Sequence, residues 1–307
     1  MKKISIFILS FCLPIFYTQA QQIEWTADQI KTFSTDYNGP RSADGRPKVA
    51  DNLLKRLANV SIEEAWGYMR NKGYNNQFDA GWTIVGEGVL VGRALTAQYM
   101  PSRPDIDEKI KAKGKDEARV GSPNSWPIDK LTMGDVYVAD GYGKIIDGTL
   151  IGDNLGNAIY AKSGTGVVFD AGARDVEGLE QIKGFVGFVR GLDPSFIKEM
   201  MLTCINCPIR IGRATVMPGD LVLGKKEGVV FIPAAMAEDL IKNAEFVALR
   251  DEFGHLRLRE GKYTPGEIDR KWTDNIKEDF LAWIKQHPEK LQMSPKEFDD
   301  YMKERNW

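Results

Sequence analysis

Residues 152–175 read GDNLGNAIYAKSGTGVVFDAGARD. Small residues dominate the stretch, with Asp153 at one edge and Arg174-Asp175 at the other. Its order is a Gly-Asp-Asn start, a helix-compatible run over about 154–162, a Ser-Gly-Thr-Gly break and an apolar β-branched segment at 166–170. This reads as a helix feeding a buried strand. The flanks repeat the theme, with strands expected at 135–139 and 184–189 and a second short helix at about 176–182. Short apolar strands alternating with short helices predict an α/β fold with some parallel pairing.

Further out the pattern changes. The run CPIRIGRATVMPGDLVLGKKEGVVFIP, 207–233, holds three or four strands separated by Gly, Pro-Gly-Asp and Lys-Lys-Glu-Gly turns, as in an antiparallel section. A long amphipathic helix follows over 234–261. Upstream, a helix begins at Asp51 and another follows Ser61, which precedes Glu64 as in a capping box. The run TIVGEGVLVGRALTAQYM, 83–100, reads as strands with glycine bends. Residues 21–50 form a polar arm. Residues 263–307 are charged and aromatic, with helix starts at Thr264-Pro265 and Ser294-Pro295. They form a C-terminal helical extension packed on the core or on a neighbouring subunit.

The first twenty residues, MKKISIFILSFCLPIFYTQA, have a basic start, an apolar centre and an A-x-A-like end. They predict a signal peptide cut near Ala20 and a periplasmic or secreted protein. Loss of Lys2 and Lys3 takes the formal charge of −2 to −4. That leaves no basic field for nucleic acid, and no later apolar run is long enough to span a bilayer. Cys204 and Cys207 lie in an apparent strand, where residues three apart point to opposite faces. Plain packing is the preferred reading, with a disulfide as the alternative.

Only two histidines occur, His255 and His287. A histidine-cluster metal site is therefore excluded, and a Ser-His-Asp or Cys-His triad has little support. Carboxylates, arginine and backbone amides remain. The helix start at Gly152-Asp153-Asn154 offers free N–H groups to an anion. Arg174 can grip a carboxylate with two hydrogen bonds, and Asp175 offers a hard oxygen to Mg²⁺. Such a metal can polarise a 2-oxo acid and stabilise its enolate. The competing reading makes Asp153 a helix cap and Arg174-Asp175 a turn ion pair. Lys144 and Lys162 as Schiff-base formers lack apolar surroundings.

Asp153, twenty intervening residues and Arg174-Asp175 resemble the D-x20-R-D signature of the RraA-like family. VGRALTAQ at 91–98, GVVFDAGARD at 166–175 and MPGDLVLGKKEGVVFIP at 217–233 are also similar to it. That family contains class II 4-hydroxy-4-methyl-2-oxoglutarate (4-carboxy-4-hydroxy-2-oxoadipate) aldolases and regulators of RNase E activity. The resemblance spans 51–262. It implies a compact β/β/α swivelling-type domain with mixed sheets, assembled as a homotrimer or hexamer with sites between subunits. It also implies a small 2-oxo acid substrate, cleaved or decarboxylated with Mg²⁺ or Mn²⁺. Gly152, Asp153, Asn154 and Leu155 would hold substrate through their backbone, and Arg174 would pair with it. Asp175 would ligate the metal, and Asp153 would hold a metal-bound water as acid/base. A neighbour's glutamate completes the family's site, for which Asp251 and Glu252 are loose candidates. A leader and about 45 additional C-terminal residues depart from the family pattern, and a non-catalytic binding or regulatory protein is the alternative.

Overall fold

A computed structural model describes residues 22–304; the predicted leader lies outside them. The arm carries α1 (Ala27–Thr32), followed by α2 (Asp51–Leu57) and α3 (Ile62–Asn71). The capping box is present: Glu64 N–H donates to Ser61 Oγ at 3.0 Å, and Ser61 N–H donates to Glu64 Oε2 at 3.2 Å. Next come β1 (Phe78–Asp79), β2 (Thr83–Val85) and β3 (Leu90–Pro101). Helix α4 (Pro104–Asp116), which the sequence reading leaves unassigned, and α5 (Trp126–Asp129) lead to β4 (Asp135–Ile151). Then follow α6 (Asp153–Ser163), β5 (Val167–Ala173), α7 (Val176–Glu180) and β6 (Gly187–Leu192). Strands β7 (Met200–Ile205), β8 (Ile209–Ile211), β9 (Ala214–Val216), β10 (Leu221–Lys225) and β11 (Gly228–Ile232) complete the β structure. Helix α8 (Ala237–Arg259) precedes α9 (Pro265–Ile268), α10 (Asp274–Gln286) and α11 (Pro295–Glu304).

Among these residues one nine-stranded mixed sheet organises the chain, in the order β1-β11-β10-β3-β4-β5-β6-β2 with β7 also on β3. Strands β3, β4, β5 and β6 run parallel and the other pairings are antiparallel. Strands β8 and β9 form a separate hairpin. Side-chain alternation gives the parallel strands two buried faces. Ala97, Ala139, Phe169 and Ala171 pack towards Ile159 of α6 and Leu179 of α7. Ala94, Val138, Val168 and Phe188 pack with Ile209 and Ile211 of the hairpin. The expected α/β class and mixed sheet are therefore present.

The C-terminal region is helical, as expected, and has its own apolar centre. Leu240, Ile241 and Ala244 on α8 belong to a core shared with α2, α3, β10 and β11. Further along, Phe246, Leu249 and Phe253 pack with Trp272, Ile276, Phe280 and Trp283 of the extension. One helix thus serves two cores.

Two expectations are corrected. Strand β4 is 17 residues long and does not stop at Ala139. Tyr142 (φ 47°), Gly143 (φ 73°) and Asp147 (φ 54°) put irregularities into it without ending it. Cys204 and Cys207 form a disulfide, with Cα atoms 6.1 Å apart, where plain packing was preferred. The strand stops at Ile205, and Asn206 turns the chain at φ 55°. That turn cancels the alternation that would have separated the thiols. Trp25 N–H donates to Ile205 O (3.0 Å) and Ile205 N–H to Ile23 O (2.7 Å), so the arm is laced to the same turn.

Buried charge is balanced where the arm meets the sheet. Asp135 opens β4 and accepts Arg46 Nη2 at 3.0 Å and Thr132 N–H at 2.8 Å; Arg93 Nε lies at 3.8 Å. Among the described residues Asp220 has no such cation beside it. Burial pushes its carboxyl up to about 7, although Met217 N–H donates to it at 2.8 Å. A carboxyl raised in the folded state contributes stability that is full below its unfolded value near 4, and loses it as pH climbs to about 7. Asp220→Asn keeps an acceptor for Met217 and cannot ionise. Its melting temperature is expected to gain on the wild type steadily between pH 4 and 7, by differential scanning fluorimetry. A pH-independent difference would refute this assignment.

Candidate functional site

The parallel register places two βα turns side by side. Ile151 at the end of β4 pairs with Ala173 at the end of β5, and Arg174 N–H donates to Ile151 O at 3.1 Å. Helix α6 therefore begins beside α7, at the carboxyl ends of parallel strands, where open α/β sheets present groups to ligands. Gly152 is the N-cap of α6 and Asp153, Asn154 and Leu155 form its first turn. The helical ladder starts with Gly156 N–H to Gly152 O at 2.9 Å. The first-turn amides precede it and point outward. Asn154 N–H is partly taken, donating to Asp153 Oδ1 at 2.7 Å.

The predicted residues meet at one rim. Asp153, Asp175, Val176, Glu177 and Gly178 line a shallow, open depression. Arg174 Nη1 lies 2.8 Å from Asp175 Oδ2, and both side chains are about two-fifths exposed (39% and 40%). Asp175 is the N-cap of α7 with φ 54° and ψ 44°. Aspartate tolerates this left-handed region better than most residues, yet it still costs free energy, and such positions concentrate at functional sites. Gly152 gives the ion pair its room: a Cβ there would sit 2.2 Å from Asp175 Oδ2 and 3.2 Å from Arg174 Cζ, so a side chain would displace both. The turn ion pair is thus real, and it sits in a place open to ligand.

The donor set suits a hard divalent cation. Asp153 and Asp175 offer carboxylate oxygens facing solvent, and Mg²⁺ commonly keeps several waters while using one or two carboxylates. Among the described residues no group of three or more His, Cys, Asp or Glu stands ready to hold a metal. Further ligands would be water and substrate. The lysine alternatives are engaged elsewhere. Lys144 Nζ donates to Lys198 O at 2.8 Å, and Lys162 Nζ lies 3.3 Å from Asp129 Oδ1. His255 is exposed on α8. Of the loose candidates, Glu252 pairs with Lys290 at 2.5 Å and Asp251 is exposed. Val176, Glu177 and Gly178 are rim residues that sequence reasoning did not single out, and a glycine inside a short helix carries no chemical signature.

A mixed-sheet α/β fold thus presents paired carboxylates and an arginine at adjacent βα turns. The model of one family, RraA-like (Aldolase/RraA), matches residues 47–231. The chain belongs to the RraA-like family. Protein DlpA of Legionella pneumophila is 28% identical over 202 residues, covering 66% of this chain and 31% of DlpA. A putative 4-hydroxy-4-methyl-2-oxoglutarate aldolase of Halalkalibacterium halodurans is 30% identical over 123 residues, 40% of this chain and 58% of that protein. The chain thus spans about a third of the first relative and under two thirds of the second. The crystal structure of Streptomyces coelicolor RraAS2, described as an unusual member of the RNase ES inhibitor RraA protein family, superposes with TM-score 0.58. It is 25% identical, with 68% of this chain and all of that one covered. No helix among the described residues is long and apolar enough to cross a membrane.

Proposed function

We propose that this protein is a divalent-metal-dependent carbon–carbon lyase acting on a small 2-oxo acid, with Asp153, Arg174 and Asp175 as its working groups. The observation that carries this reading is their convergence on one solvent-open rim over a glycine, Gly152. The putative aldolase among the relatives points the same way.

Each residue has a distinct task in this reading. Arg174, fixed at the end of β5, binds the substrate carboxylate through two parallel hydrogen bonds. Backbone N–H groups at the start of α6 hold the anionic oxygens of the substrate, helped by the helix dipole. Asp175, with water, holds Mg²⁺ or Mn²⁺, and the metal supplies positive charge that offsets negative charge developing on the oxo oxygen. Asp153, across the depression, holds and moves the proton, so that the pyruvate half leaves as an enolate and is then protonated. Aldol cleavage and oxaloacetate decarboxylation share these needs. On the leader reading we place the protein outside the cytoplasm, where the Cys204–Cys207 disulfide is at home. We also take it to assemble as a homotrimer or hexamer.

The test is purified protein with Mg²⁺ or Mn²⁺, offered oxaloacetate and 4-hydroxy-2-oxo acids, with pyruvate release coupled to lactate dehydrogenase. Metal-dependent pyruvate release, lost in Asp175→Ala, is expected. Absence of turnover on every substrate, with no Mn²⁺ bound, would sink the reading and leave the non-catalytic binding protein.

A further inference from the structure

We propose that Gly178, inside α7, is a positioning residue for Asp153: its missing side chain is the seat on which Asp153 lies, and it sets how Asp153 faces Asp175. The inference rests on the proposed lyase reading for the roles of the two carboxylates, and on packing alone for the seat itself.

A Cβ built on Gly178 would lie 2.6 Å from Asp153 Cβ, 3.2 Å from its Cγ and 3.0 Å from its Oδ2. Real carbons do not approach so closely. The nearest atom is the Asp153 Cβ, one bond from the backbone, so no rotation about χ1 can carry it away. A methyl at 178 must push the first residue of α6 itself. Backbone conformation gives no other reason for the glycine. Gly178 is absent from the positive-φ glycines, so any residue could adopt its dihedrals. In a helix interior glycine costs about 1 kcal/mol relative to alanine. In a five-residue helix that cost makes sense only where contact demands it.

The seat is half of a reciprocal contact. A Cβ on Gly156 of α6 would lie 2.2 Å from Leu179 Cδ2 of α7. Leu179 therefore sits over Gly156 while Asp153 sits over Gly178, and the two helices interlock at both points. The difference is chemical. The Gly156 hole receives the end of an apolar side chain, whereas the Gly178 hole receives the stem of a carboxylate that shares a depression with Asp175. Gly178 thereby fixes a distance between two acidic groups, and a displacement of about 1 Å is enough to cost large factors in rate.

Gly178→Ala, compared with Gly156→Ala and Asp153→Ala in the full chain, tests this. Three quantities are read: steady-state kinetics of pyruvate release, Mn²⁺ affinity by calorimetry without substrate, and melting temperature. For Gly178→Ala, kcat is expected to fall tenfold or more with KM changing by a smaller factor, because Arg174, which lies outside both helices, still holds substrate. Mn²⁺ should bind severalfold more weakly, since the displaced Asp153 no longer faces Asp175 across the depression. The melting temperature should not fall by more than it does in Gly156→Ala, which loosens the same helix pair through Leu179. Wild-type kcat and Mn²⁺ affinity in Gly178→Ala would overturn the proposal. So would an equal loss in Gly156→Ala, which would make helix spacing the cause. If the wild type releases no pyruvate but binds Mn²⁺, the lyase reading fails alone and the Mn²⁺ comparison still decides the seat. A wild type that does neither overturns both.

Discussion

Arg174→Ala is expected to lower kcat/KM for 2-oxo acid cleavage by about two orders of magnitude, with the fold intact. Truncating one partner of a charge-assisted pair costs roughly 2–5 kcal/mol where the pair is formed in the bound complex, and each 1.4 kcal/mol is about tenfold. Among the described residues the guanidinium is ion-paired with Asp175, at a part-exposed position. Exposed ion pairs add little stability, so the melting temperature should barely move. Arg174→Lys restores the charge but not the two-pronged geometry, and should recover only part of the loss. Steady-state kinetics with the coupled pyruvate assay decide it. A kcat/KM for Arg174→Ala within threefold of wild type would remove Arg174 from the site.

The largest stability effect is expected at Asp135→Ala, far from that rim in chemical terms. Asp135 is 2% exposed and accepts from Arg46, itself 2% exposed, with Arg93 nearby. Removing the carboxylate leaves Arg46 with Asp44 alone and Arg93 with the exposed Asp51 alone, so two buried guanidinium groups lose their shared counter-ion. Breaking a buried pair in this way costs about 3–5 kcal/mol. Denaturant unfolding should report a loss of that size, and the melting temperature should drop by on the order of 10 °C. Asp135→Asn keeps an acceptor for Thr132 and should lose less. A loss below about 1 kcal/mol in Asp135→Ala would mean that Asp44, 2.8 Å from Arg46, and Asp51, 2.8 Å from Arg93, carry the balance.

Much of the rim was legible because its signals are local. Gly-Asp-Asn before a helix and Arg-Asp after an apolar strand are turn chemistry, and the parallel register of β4 with β5 brings the two together. The caps at Ser61 and Thr264 were equally readable, since three-residue spacing fixes them. What escaped depends on partners distant in sequence. The Gly-Tyr-Gly of 141–143 looks like a turn, but pairing with β5 carries β4 through it. The disulfide needed the left-handed turn at Asn206. Arg46 reads as an arm residue, and nothing local says that its counter-ion lies at position 135, across the fold.

Helix α8 gives the chain a seam. Its first half is held by the sheet and its second half holds the aromatic extension. A module added by lengthening one helix leaves every strand register and both βα turns as they were. Relatives differing beyond α8 could therefore exchange tails as cassettes, gaining a new surface while inheriting the same chemistry.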